Sequence, residues 1–159
     1  MKARALLFIR YLVGGVGLYF ALTQVHENIA NSVALATLTA VGCVGVLSFA
    51  SHVLVSKQDA RQIGFGSKEA SFQYEVGFAN LSIGVAAIVS YSANWGIQAN
   101  AVLLFIYALY LLQAGILHLY TAMNSKKMRA ANLRRAIPTF IYSTVLFYIF
   151  HLVVLSGQL

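Results

Sequence analysis

Charge is scarce in this chain. Asp, Glu, Lys and Arg make up 9% of its 159 residues, and only four of them are acidic. Soluble domains carry about a quarter charged residues, so a water-soluble fold is excluded. Cysteine is nearly missing too. The single Cys43 rules out an internal disulfide and offers no Cys-x-x-Cys framework for zinc or an iron–sulfur cluster. There is one proline, Pro138, assigned here to the first turn of the last helix, where its missing N–H does no harm. Low-complexity segments, internal repeats, a Ser–His–Asp set, a phosphate loop and a nucleotide fingerprint are all absent from the sequence, so it indicates no enzyme class.

What the chain has in quantity is apolar length: 60% of its residues are hydrophobic. Five runs, at 5–25, 33–55, 72–91, 99–123 and 136–156, are long enough to cross a hydrocarbon core of roughly 30 Å. The expectation is a single all-α transmembrane domain over residues 1–159, a five-helix bundle. With residue 1 on the cytoplasmic side, all 11 Lys and Arg residues fall on that side, from Lys2, Arg4 and Arg10 to Arg134 and Arg135. This positive-inside pattern puts the N-terminus in the cytoplasm and the C-terminus outside, in the cell's inner membrane. The net charge of +7 then reads as contact with anionic lipid headgroups at the cytoplasmic face, and not as a nucleic-acid footprint. Arg10 interrupts the first apolar run and "YFALTQVHEN" lacks a small-x-small cleavage site, so a cleaved signal peptide is not expected.

Helical spacing sorts the runs into faces. The first helix aligns Arg10, Gly14, Gly17, Ala21 and Gln24; the second aligns Val41, Gly45, Ser48 and His52. The fourth aligns Tyr107, Tyr110, Ala114, His118 and Thr121, and the fifth Phe140, Thr144, Phe147 and His151. The third has two small-residue stripes, Gln73–Gly77–Asn80–Gly84 and Glu75–Ala79–Ser82–Ala86, on opposite sides. Small residues let helix backbones approach closely in a membrane, so the third helix is expected to be central.

Arg10, His52, Glu75 and His118 fall within roughly one helical turn of a common depth, at about 1.5 Å per residue. Ionisable groups inside a membrane are costly and mark functional sites by default. The expected site is therefore a cytoplasmic-side pocket where a small polar ligand or ion is bound, with translocation of that ligand open as well, and with Arg10 neutralising Glu75. Ser48 and Asn80 complete the ligand-binding set, and the 56–71 loop roofs it. Two other readings stay open. His52, Glu75 and His118 could hold a metal, or His52 and His118 a haem, in a membrane redox protein or enzyme. Alternatively, the chain packs as a homo-oligomer or as a subunit of a larger membrane complex. His26, in "QVHEN", reads as a solvated loop residue and Cys43 as a packing residue.

The segment "QIGFGSKEASFQYEVGFANLSIGVAAI" resembles a family of small bacterial and archaeal multi-pass membrane proteins of unknown function. The resemblance rests on Ile63, Gly64, Gly66, Ser67, Phe72, Gln73, Glu75 and the run Gly77–Leu81, with Phe65 where the family has tryptophan and an extra "KEA". "AGILHLYTAMN" is similar to the family's later glycine-x-x-histidine segment and carries His118 and Asn124. The resemblance implies shared residues, Glu75 and His118 among them, and no activity. The first helix, "RYLVGGVGLYFALTQV", is also similar to that of DoxX-like membrane proteins, which are associated with redox or thiol-stress assemblies.

Overall fold

Five helices account for the regular structure of the described residues, 3–54 and 70–159, in a computed structural model of the chain. They are α1 (Ala3–Gln24), α2 (Ile29–Leu54), α3 (Ala70–Ser92), α4 (Ile97–Asn124) and α5 (Arg129–Leu155). Each is long and apolar enough to cross a membrane, and the chain is a multi-pass membrane protein. The loop expected to roof the site, with Lys57, Arg61, Lys68 and the motif residues Ile63 to Ser67, lies outside the described residues.

Two helices start well before their apolar runs. α2 starts at Ile29 because Asn28 caps it, its side-chain oxygen accepting from the Asn31 N–H at 3.0 Å. α5 starts at Arg129, since the Ala-, Leu- and Arg-rich stretch before the apolar run is itself a good helix former. Pro138 therefore sits in the helix interior and not in the first turn, as the sequence suggested. Its missing N–H leaves the Arg134 carbonyl without a helical donor, at an exposed position toward the N-terminal end of α5.

The central helix is α2, which corrects the assignment of that place to the third. Half of the membrane-length window of α2 is buried, against 22–28% in the other four helices, and it touches all of them. The reason lies in which small-residue stripes are used. Gly45 of α2 meets the Asn80–Gly84 stretch of α3 so closely that an added Cβ would stand 2.7 Å from the Asn80 carbonyl oxygen. Gly84 in turn faces Gly42 and Val46. Gly14 and Gly17 of α1 receive Val44 and Thr39. These are close small-residue seams of the kind membrane helices use in place of a hydrophobic driving force. The other stripe of α3 turns outward, with Glu75 and Ser82 exposed. On α5 the inward face is Ala136, Ser143, Leu146, Ile149 and Val153, while Thr144 and His151 of the expected stripe are exposed.

A π-helical segment, Thr37–Cys43, interrupts α2. Its wider turn changes the phase of the helix, so that Gly45, Ser48 and His52 face α3 and the space beside it. The Tyr142 hydroxyl of α5 donates to the Ala40 carbonyl in this segment at 3.1 Å, supplying a partner where the helical pairing is altered.

Candidate functional site

A cavity of about 330 Å³ lies among all five helices, in the half of the bundle nearer the basic α4–α5 turn. That is at the small end of the range for ligand sites. α1 contributes Arg10 and Tyr11; α2 contributes Val44, Ser48 and His52; α3 contributes Phe72, Gln73, Val76 and Asn80. α4 brings Tyr107, Tyr110 and His118 among others, and α5 brings Arg135, Thr139 and Tyr142. Five of the six expected ligand-binding residues thus share one cavity: Arg10, Ser48, His52, Asn80 and His118.

Glu75 is the exception. It is exposed, on the side of α3 opposite the buried Gln73 and Gly77, and does not line the cavity. Two residues along a helix is about 200° of rotation, so Gln73 and Glu75 cannot face the same neighbour. The expected pairing of Arg10 with Glu75 is therefore not made. Arg10 instead donates through Nη1 to Ser48 Oγ at 3.2 Å, and its guanidinium carbon lies 5.4 Å from the centre of the Tyr11 ring. Of the four carboxylates in the chain, Glu27 and Glu75 are exposed and Asp59 and Glu69 lie outside the described residues. No described carboxylate lines the cavity.

The polar groups around Arg10 are fixed by one another. Asn80 Nδ2 donates both to the Val76 carbonyl at 2.8 Å and to the Tyr110 hydroxyl oxygen at 2.7 Å, while Oδ1 accepts from the Tyr107 hydroxyl at 3.4 Å. That ties α3 to α4, as a mid-membrane asparagine is expected to do. The Tyr110 hydroxyl is the acceptor in its bond to Asn80, so its own hydrogen remains for an acceptor in the cavity. The Tyr107 and Tyr110 rings stack nearly parallel, 18° apart with centroids at 6.1 Å.

Both histidines are held through Nδ1. His52 pairs with Gln73 Oε1 at 3.1 Å, and His118 with Asn132 Oδ1 at 2.9 Å. Asn132 is fully buried and its Nδ2 donates to the Met128 carbonyl, which turns Oδ1 toward His118. Among the described residues no three His, Cys, Asp or Glu side chains come together as a metal-ligand set: His52 and His118 share the cavity, and Glu75 does not join them.

Gln73, Asn132, Tyr142 and Arg135 were not among the expected site residues, although the sequence puts Gln73 on a small-residue stripe and Arg135 among the basic residues of the cytoplasmic side. Gln73 was legible in principle, since it lies on the same stripe as Gly77 and Asn80. Asn132 was not, because it falls in a stretch that reads as a polar linker.

No curated protein and no solved structure matches the chain. A family model does, over residues 3–158, nearly the whole length, in keeping with the resemblance carried by the 63–81 segment. The chain belongs to DUF6790, a family of unknown function.

Proposed function

We propose that this protein binds a small anion in the five-helix cavity, at the cytoplasmic side of the cell's inner membrane. The observation that carries the reading is a surplus of donors. Arg10 offers five guanidinium N–H groups and uses one contact, to Ser48, with no carboxylate beside it among the described residues. Tyr110 adds a hydroxyl hydrogen left over from its bond with Asn80. A cation inside a membrane without a counter-charge costs several kcal/mol, and a bound anion removes that cost. The positive-inside distribution of Lys and Arg supports the cytoplasmic side, where a soluble anion has access from the cell interior.

The test is thermal unfolding of the purified protein in detergent, with and without acetate, benzoate and inorganic phosphate. At least one anion should raise the melting temperature in a saturable way, and Arg10→Gln should abolish that rise. If no anion stabilises the wild type more than it stabilises Arg10→Gln, the reading is wrong.

A further inference from the structure

The same cavity says more about its ligand than charge alone. We infer that the ligand is an aromatic monocarboxylate: a flat ring carrying one carboxylate, with the carboxylate on Arg10 and Tyr110 and the ring among the tyrosines. This deepens the anion reading and rests on it.

Three observations carry the inference. First, Arg10 has no acidic partner among the described residues and Tyr110 has a hydroxyl hydrogen to give, against walls that are mostly apolar although Arg135, His52 and His118 also line them. A carboxylate presents two oxygens, which a guanidinium and a hydroxyl can satisfy. A neutral carbonyl compound would leave the Arg10 charge uncompensated. Second, the walls are rings. Tyr11, Phe72, Tyr107, Tyr110 and Tyr142 come from four of the five helices. The fully buried Tyr107 ring lies nearly parallel behind Tyr110, and the partly accessible Tyr110 ring is of the kind on which another ring stacks or packs edge-on. Third, the size fits. A cavity of about 330 Å³ is at the small end of the range for ligand sites and has room for a single-ring acid. Benzoate and its hydroxylated relatives are of that size; a two-chain phospholipid is far larger.

Isothermal titration of the full-length protein, in detergent and again in nanodiscs, compares benzoate, cyclohexanecarboxylate, acetate, octanoate and inorganic phosphate. Benzoate should bind saturably and about tenfold tighter than cyclohexanecarboxylate, which has the same charge and a puckered ring. Tyr110→Phe, which keeps the ring and removes the donor, should weaken benzoate about tenfold. Arg10→Gln should weaken it at least about thirtyfold. Should Arg10→Gln fail to fold, Arg10→Lys and Tyr110→Phe carry the comparison, since Lys keeps the charge and loses the planar fork. Acetate, octanoate or cyclohexanecarboxylate binding as tightly as benzoate, with dependence on Arg10, would overturn the aromatic assignment and leave the anion reading intact. Phosphate binding best would do the same. Binding of every anion that ignores Arg10 would overturn both.

Discussion

The two halves of this bundle treat their polar groups in opposite ways. In the half away from the basic turn, each buried polar side chain is consumed by a neighbour. Ser90 Oγ donates to Asn100 Oδ1 at 2.9 Å, Thr37 Oγ1 to the Asn100 carbonyl at 3.2 Å, and Ser32 Oγ to the Ala21 carbonyl at 2.7 Å. Around them Val33, Val41, Leu104, Leu146, Ile149 and Val153 are fully buried. In the half near the basic turn, the Asn80 amide is equally committed, yet Arg10 and Tyr110 keep donors that face a cavity. A polar residue in a membrane helix is therefore not in itself a sign of function. An unspent donor lining a cavity is the feature on which the anion proposal rests.

This contrast can be broken or sharpened by substitution. The largest effect belongs to the seam that both halves share. Gly45→Val would push a side chain against the Asn80 carbonyl and the Gly84 Cα, at 2.7 and 2.9 Å, where backbone and not a flexible side chain must yield. A loss of about 3 kcal/mol or more, or failure to assemble, is expected in denaturant unfolding and size-exclusion chromatography. In the closed half, Asn100→Ala strands the Ser90 hydroxyl and should destabilise the protein by about 1–2 kcal/mol in the same unfolding assay.

Arg10→Gln should behave differently. In ligand-free protein it removes a charge that no described carboxylate balances, so stability should stay level or rise while anion binding disappears. A clear loss of stability without ligand would instead make Arg10 a structural residue. The smallest effect is the coupling between Arg10 and Glu75. Because one faces the cavity and the other is exposed, the changes in Arg10→Gln, Glu75→Gln and the double variant should add to within about 0.5 kcal/mol. A larger interaction energy in that double-mutant cycle would restore the pairing the structure does not show.

The sequence made the five spans legible because length and apolar content suffice for that, and no tertiary information is needed. It also marked the depth at which Arg10, His52 and His118 gather, since depth along a helix is linear in residue number. Which helix lies in the middle was not legible. α3 carries two small-residue stripes, and nothing local distinguishes the one that packs on Gly45 from the one that faces outward with Glu75 and Ser82. A membrane helix is apolar on every side, so the facing signal that marks a soluble helix is lost; on α5 this hid Asn132 and Ser143 behind a stripe that includes the exposed His151. The Thr37–Cys43 π-segment has no sequence signature of its own, although it sets the phase that brings Ser48 and His52 to the cavity.

The most direct measurement is a crystal structure of the protein with 4-bromobenzoate, using the anomalous signal of bromine to locate the ring. The prediction is one bromine peak inside the five-helix cavity, with the carboxylate within hydrogen-bonding distance of both the Arg10 guanidinium and the Tyr110 hydroxyl. A cavity without that peak, or bromine found at the exposed basic residues of the α4–α5 turn alone, would contradict it.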